Sequence, residues 1–501
     1  MIDINTHKPN HIRRDVSTGF KANAASPIKV VLILTLVAVA ARCVTFNNPV
    51  IGFDEQFYLL VGDRMLHGAL PFVDIFDRKP VGLFLIYAAI RLLGGDGVIQ
   101  YQMVALIFVV ATATLLHRFA LRLTNQFGAV AAACAYIAWL DITEGEGGQA
   151  PVFFNLPMLA AAMLCARVVT GRSDQPGRDG TAAMALVGIA IQIKYTVVVE
   201  GIYFGIMLLW AAWHRGDTLP SLAKKAILWA GLAVLPTLVA AIVYAGLGHA
   251  HEFIFANFQS QFGRSLFPLK DRLLGLLGMV GLVLPLLASI RRTDRSHDGK
   301  TGRFVLGWLG AALLSVLVFG SFMSTHYIMP SLLPAVLAAA PFFGRKRLGR
   351  FVALALLASV GIAGQIALAH NQWAKGGRRE ADIVAAAARP VHGCIYVYDG
   401  YPALYQLTGS CLPTRYAFPG HLSTADEGNA AAIGRDPAVE LRRILAGKPE
   451  VIVDDAPVYQ FSNPATRNII NQALSRDYYQ VLRLRTGTQR YRLVYRRKEN
   501  H

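Results

Sequence analysis

The stretch from Arg78 to Leu93 reads RKPVGLFLIYAAIRLL and decides how the rest of the chain is arranged. Its apolar run, Val81 to Leu93, holds about 13 residues, whereas a helix needs about 20 residues to cross a bilayer. Basic residues flank this run on its N-terminal side and interrupt it at Arg91. We therefore predict a helix that does not span the membrane, which makes the number of crossings odd.

The other apolar runs predict a polytopic, all-α membrane domain. Hydrophobic residues make up 54% of the 501 residues and charged residues only 16%, which is too apolar for a soluble core. About eleven runs have the length or near-length of a membrane span. They are 28–46, 99–116, 127–142, 151–169, 181–193, 197–213, 226–246, 273–290, 304–320, 328–343 and 351–368.

Basic residues between these runs predict the topology. Segments assigned to the cytoplasm hold about 22 Lys and Arg residues and the outer loops about 8, as the positive-inside rule requires. We predict a cytoplasmic segment 1–27, a transmembrane domain 28–368 and a periplasmic domain 369–501, with two juxtamembrane helices in the first periplasmic loop, 47–98. The expected location is the cell inner membrane. The net charge of +18 follows this pattern, so no nucleic-acid partner is expected.

The tail after residue 368 has the alternation of a small α/β domain. Two short strands, a helix and a hairpin are predicted, at 394–399, 451–455, 437–446 and 480–497 respectively. Cys394 and Cys411 both fall in this domain. In an oxidising compartment these two cysteines are candidates for a disulfide, although a free pair remains possible.

The first loop carries a cluster of charged residues. It contains FDEQFYLLVGDRMLHG from residue 53 to residue 68, with the neighbouring carboxylates of Asp54 and Glu55. Such a carboxylate can act as a general base, and Arg64, Lys79 and Arg42 suit a phosphate anion. A structural role fits the same residues, with the carboxylates at a helix N-terminus and the cations reaching to the membrane surface.

The loop also resembles the first outer loop of the GT-C glycosyltransferases, especially the protein O-mannosyltransferases and the lipid A aminoarabinose transferases. The shared layout is Asp54-Glu55, Tyr58, Arg64-Met65-Leu66, Gly68, Pro71 and Lys79-Pro80 before an apolar helix. Three further stretches agree in order and sidedness. They are GIAIQIKYT around Lys194, QAPVFFNLP from Gln149 and HYIMPSLLP from His326.

The resemblance implies an inverting transfer of a sugar from a polyprenyl-phosphate donor to a hydroxyl on a lipid, glycan or protein acceptor. Asp54 would be the catalytic base, and Glu55 would support the carboxylate pair or the acceptor. Arg64, Lys79 and Lys194 would bind the donor phosphate. Independently of the resemblance, the aromatic and basic residues of the loop 247–272 predict an interfacial segment. Arg264 and Lys270 are its candidate contacts to lipid headgroups, and simple anchoring of the loop is the alternative.

One position departs from the pattern. Gln149 stands where many relatives have an acidic residue, and His67 and His326 have no nearby ligand partners in the sequence. We therefore assign no metal site and no cofactor from these residues, and the sequence leaves a divalent metal ion open. A transporter, a lipid flippase or an assembly subunit of an envelope polysaccharide system remains the alternative function, with membrane lipids as partners in every case.

Overall fold

The computed structural model describes residues 26–290, 299–320 and 322–498. The predicted cytoplasmic segment 1–27 lies almost entirely outside these residues. Within them, a helical bundle is followed by a domain built on one four-stranded sheet. The bundle helices are α1 (Pro27–Arg42), α2 (Phe53–Leu66), α3 (Val81–Arg91), α4 (Val98–Ala120), α5 (Gln126–Asp141), α6 (Ala150–Val169), α7 (Pro176–Ile191), α8 (Val198–Trp213), α9 (Leu219–Gly246), α10 (Ala250–Ile254), α11 (Leu269–Ile290), α12 (Gly299–Phe319), α13 (Leu332–Phe343) and α14 (Leu348–Lys375).

The predicted spans all coincide with helices. Among the described residues, nine helical segments are long and apolar enough to cross a membrane. The two other predicted spans are α5 and α7, which have 16 residues each and are therefore about 24 Å long. The chain is a multi-pass membrane protein, as its composition predicts.

The short apolar stretch after Lys79-Pro80 forms α3, with only 11 residues. A helix of that length is about 16 Å long and cannot cross a hydrocarbon core of about 30 Å, so the non-spanning prediction is confirmed. α3 packs closely on α2 at Gly62, where a Cβ would lie 2.6 Å from the backbone of Tyr87 and Ala88. The two helices therefore form one unit in the first loop.

The tail domain has the predicted mixture of helices and strands. Its helices are α15 (Arg378–Ala388), α16 (Leu404–Leu407), α17 (Gly420–Ser423), α18 (Ala430–Ile433), α19 (Pro437–Ala446) and α20 (Pro464–Asp477). Its strands are β1 (Ile395–Val397), β2 (Val451–Ala456), β3 (Tyr478–Thr486) and β4 (Arg490–Arg497), in the order β1-β2-β4-β3. β1 and β2 are parallel and the other neighbours antiparallel. The predicted hairpin turns at Gly487, whose φ of +63° favours glycine.

The tail packs on the first loop, so both lie at the same end of the bundle, which we call the loop face. Arg78 in the loop donates to both carboxylate oxygens of Glu427 in the tail, at 2.8 and 2.5 Å. The backbone N–H of Phe76 donates to the carbonyl of Arg415 at 2.8 Å. Ten of the predicted spans lie between the first loop and the tail, and an even number of crossings also places both on the same side of the membrane.

Cys394 and Cys411 form a disulfide that closes a segment of the tail, with a sequence separation of 17 residues. Cross-linking a loop of this size removes conformational entropy from the unfolded chain. We expect Cys411→Ser to lower the stability of the tail by about 3 kcal/mol.

Thermal unfolding of the full chain, with and without reductant, measures this effect. Cys43→Ser is the matched control because Cys43 is a free, exposed cysteine. If reductant shifts the unfolding of the wild type and of Cys411→Ser equally, the bond does not contribute.

Candidate active site at the loop face

Asp54 lies in the first turn of α2, where a negative charge is favoured by the helix dipole. Its Oδ2 accepts a hydrogen bond from the hydroxyl of Tyr58 at 3.1 Å and another from the amide of Gln149 at 2.9 Å. The side chain remains partly exposed. Asp54 is therefore held from two sides while its site stays open to solvent.

Gln149 is fixed as a donor by its place at the start of α6. Its own Oε1 accepts from the backbone N–H of Ala150 at 3.1 Å, which leaves the amide nitrogen to face Asp54. An acidic residue at this position would repel the Asp54 carboxylate. The departure from the family pattern thus puts a hydrogen-bond donor beside the candidate base.

Two lysines complete the cluster around Asp54. The ammonium of Lys79 lies 3.7 Å from Asp77 and 5.5 Å from the ring centre of Tyr58, the residue that also bonds Asp54. Lys194, in the turn before α8, is 6% exposed and lies 4.4 Å from the ring centre of Tyr327. Within the described parts of the chain, no carboxylate lies within 4 Å of the Lys194 ammonium, so its charge is available to an anionic ligand.

His326 and Glu144 form a polar pair at the same face. Nδ1 of His326 lies 3.0 Å from Glu144 Oε2, and the backbone N–H of Thr325 donates to the other carboxylate oxygen at 3.2 Å. The His326 ring stacks on Tyr327, which in turn lies against Lys194. The other histidine of the sequence analysis, His67, is exposed at the end of α2. No cluster among the described residues has the composition of a metal site.

The charges of this cluster are coupled. Burial alone would raise the pKa of Asp54, but Lys79, His326, the Gln149 hydrogen bond and Lys194 together hold it below its usual range. Burial and the neighbouring Lys79 lower the pKa of Lys194 to about 7. The pKa of Lys79 is raised despite burial, because Asp77 and Asp54 favour its charged form. The site therefore combines an ionised carboxylate with one permanent and one titratable cation.

Glu55 lies next to Asp54 but faces a different environment. It is 2% exposed, and a Cβ on Gly147 would lie 2.8 Å from its Oε1. Burial raises the pKa of Glu55 well above its usual range, and the charges of Glu146 and Asp54 raise it further. The surroundings of Glu55 therefore disfavour its charged form, whereas those of Asp54 favour it.

Arg42, at the end of α1, is fully buried and holds the loop between α5 and α6. It donates to the carbonyls of Glu146 at 3.1 Å, Gly147 at 3.4 Å and Gly145 at 2.5 Å. These bonds fix the segment that carries Glu144 and Gln149. Arg42 thus positions the α5–α6 loop through its backbone carbonyls, and its buried guanidinium is not exposed to a phosphate.

The structure does not bring Arg64 to the cluster. Arg64 follows Asp54 by three helical turns of α2, about 15 Å along the axis, and donates to the carbonyl of Ser410 in the tail at 2.5 Å. Arg264 is engaged by the tail, where it is paired with Asp426 and, at 3.2 Å, with Glu427. Lys270 is exposed in the first turn of α11.

The sequence reasoning missed the contributions of Glu144, Gln149 and Tyr327. Each of them lies beside a helix boundary at the loop face, as Asp54 and Lys194 do. The available signal was this common position, since polar residues at successive helix ends on one side of a bundle converge in space. Their pairing partners, however, are far away in the sequence.

Comparisons with known proteins bear on the fold. No family model and no curated protein matches the chain. The crystal structure of ArnT from Cupriavidus metallidurans, bound to undecaprenyl phosphate, superposes with a TM-score of 0.55 at 14% identity and covers 93% of this chain and 97% of its own.

Two other matches have scores too low to compare folds. The Archaeoglobus fulgidus oligosaccharyltransferase AglB gives a TM-score of 0.48 at 12% identity, covering 86% of this chain and 69% of its own. The mycobacterial arabinofuranosyltransferase AftD gives 0.49 at 14%, covering 96% and 42%. The ArnT superposition shows that the chain has the fold of ArnT, a GT-C-like fold.

Proposed function

We propose that this protein is an inverting membrane glycosyltransferase that moves a sugar from a polyprenyl-phosphate donor to a hydroxyl acceptor. The observation that carries the proposal is the ionised, solvent-open Asp54 facing Lys79 and Lys194 at one end of a membrane bundle. The similarly folded ArnT was crystallised with undecaprenyl phosphate, which supports a lipid-phosphate donor. The charge asymmetry of the loops supports a periplasmic site in the inner membrane.

The proposed reaction is a single displacement at the anomeric carbon. The acceptor oxygen forms a bond to that carbon while Asp54 takes the hydroxyl proton. The bond from the anomeric carbon to the phosphate oxygen breaks, and its electron pair leaves with the lipid phosphate. Lys79 and Lys194 stabilise the charge that develops on that phosphate. Attack opposite the leaving group inverts the configuration.

The other residues of the cluster act by positioning these groups. Tyr58 and Gln149 orient the Asp54 carboxylate, and Glu144 holds His326 against Tyr327. Glu55, which is buried and has a raised pKa, supports the start of α2 and does not take the proton in this proposal. Arg64 has no role at the donor phosphate in this proposal.

The direct test is to compare envelope lipids, glycans and proteins by mass spectrometry in cells with and without the chain. We expect one class of molecule to lose a single sugar in the deletion strain and to recover it when the wild type is restored. An unchanged set of glycosylated products, with altered transport of a lipid or solute, would instead favour a transporter or flippase.

The pKa of Lys194, about 7, predicts how donor binding depends on pH. A lysine is charged below its pKa, so the cation that meets the donor phosphate is lost as the pH rises through this value. We expect the donor to bind about tenfold more weakly at pH 8 than at pH 6. Asp54 contributes no such change, because its pKa lies below this range.

Donor KM values measured from pH 6 to pH 8 test this expectation. Lys194→Arg should flatten the dependence, since a guanidinium stays charged throughout. Lys194→Met should also remove the pH dependence of the donor KM, and the donor should bind weakly at every pH. A dependence that persists unchanged in both variants would assign the titration to another group.

A further inference from the structure

A cleft lined by charged residues lies where the first loop meets the tail, at the opposite end of α2 from Asp54. It has a volume of about 410 Å³. Its loop side is lined by Arg64, Ala69, Asp74 and Ile75, and its tail side by the segment from Cys411 to Arg415. Nothing in the proposed transfer reaction uses this cleft.

Two arginines line it from opposite sides and are held by reciprocal contacts. Arg64 of the loop donates to the carbonyl of Ser410 in the tail, while Arg415 of the tail donates to the carbonyl of Phe72 in the loop. Each guanidinium also has a buried Nε without a hydrogen-bond partner in the described structure. The two cations are thus fixed in place with donor capacity left over.

The charge of the cleft is incompletely balanced. Asp74 is the carboxylate among its described lining residues, and one of its oxygens already accepts from the backbone N–H of Leu70 at 2.7 Å. Neither arginine has a carboxylate within 4 Å among the described residues. Two fixed guanidinium groups facing one carboxylate leave a net positive cleft, which suits a phosphate group.

The loop segment that lines the cleft, between Ala69 and Ile75, is bonded to the end of a membrane helix. The hydroxyl of Tyr244, near the end of α9, donates to the carbonyl of Pro71 at 3.0 Å. α9 is one of the candidate spans, and it ends two residues later at Gly246. Leu66 and Leu247 are exposed nearby along the chain, at 44% and 55%. The cleft therefore lies at the height where lipid headgroups are found.

We propose that this cleft binds the phosphate of an anionic lipid headgroup, with Arg64 and Arg415 as its ligands. The site is separate from the cluster at Asp54, because about 15 Å of α2 lies between the two. It also gives the contacts between loop and tail a function beyond holding the domain in place. Binding needs no sugar transfer, so it is measured independently of the proposed reaction.

The test uses the purified full chain and two probes. Bound phosphatidylglycerol is counted by native mass spectrometry, with phosphatidylcholine of the same chain length as reference, and inorganic phosphate is titrated by thermal shift. We expect Arg415→Gln to weaken binding about tenfold, as loss of one charge-assisted bond implies. Arg442→Gln, a change of an exposed tail arginine outside the cleft, should bind as the wild type does.

A second variant guards against a folding defect in Arg415→Gln. Asp74→Asn removes the negative charge but keeps an oxygen for the N–H of Leu70, so binding should become tighter by about threefold or more. A response with phosphatidylglycerol assigns the site to lipid, and a response with inorganic phosphate alone assigns it to a free phosphate. If both variants bind both probes as the wild type does, the proposal is overturned.

Discussion

Asp54→Asn is expected to lower the rate of sugar transfer by about a thousandfold, within the range found when a general base is removed. The amide cannot take the acceptor proton, yet its oxygen can still accept the hydrogen bond from Tyr58. The variant should therefore insert, fold and bind the donor much as the wild type does. Single-turnover transfer, donor binding and yield after detergent extraction measure these three properties.

The neighbouring carboxylate provides the sharpest comparison. Glu55 is buried and its pKa is raised well above its usual range, so Glu55→Gln places a neutral group of similar shape where burial already disfavours a charge. We expect this variant to keep transfer within about tenfold of the wild type, because no proton acceptor is lost. Asp382→Asn, on the exposed side of α15, should have no effect. Equal losses in Asp54→Asn and Glu55→Gln would contradict the assignment of the base.

Arg78→Gln is expected to destabilise the docking of the tail by about 3 to 5 kcal/mol, the cost of breaking a buried ion pair. Arg78 bonds both oxygens of Glu427, the Ser260 hydroxyl and the Ala432 carbonyl, so its loss leaves several polar groups unpaired. Because Arg78 precedes Lys79, we also expect the donor KM to rise. Limited proteolysis of the tail and thermal unfolding measure the loss of docking.

The double variant Arg78→Gln/Glu427→Gln measures how much of the loss comes from the interaction between these two residues. Removing both charges should be less harmful than the sum of the single changes, because each single change deprives the remaining residue of this partner and the double change does so only once. Arg378→Gln is the matched control, since its pairs with Asp96 and Asp382 are partly exposed and should contribute less than about 1 kcal/mol. Additive losses in the double variant would show that the two residues act separately.

Much of the fold is encoded in local patterns that the sequence displays directly. The run after Lys79-Pro80 is too short to span, and α3 is too short as well. The predicted helix 437–446 has the bounds of α19 because Asp436 caps it and Pro437 begins it. These features depend on residues within one or two turns of each other.

The composition of the site depends on contacts that no local pattern reveals. Arg64 resembles a phosphate ligand in the loop, but its partner is Ser410, 346 residues away. In the sequence, Gln149 stands where similar proteins have an acidic residue. The structure shows that its amide donates a hydrogen bond to Asp54, 95 residues earlier. Glu55 and Asp54 are neighbours in the chain, yet the helix turns one towards solvent and the other into the protein. The partners and the exposure of these side chains are therefore determined by tertiary packing.

The hydrogen bonds from Arg42 to the loop between α5 and α6 also bear on how the protein assembles in the membrane. The carbonyl of Glu146 lies 104 residues downstream of Arg42, so the guanidinium leaves the ribosome long before its partner. At ordinary translation rates the delay is about 5 to 20 s. Throughout this interval the first helix carries an unmatched charge near one end, where a long side chain can reach the aqueous boundary. Arg42 can be buried only after the α5–α6 pair is complete, so its burial follows insertion of the first helix and can precede synthesis of the later helices.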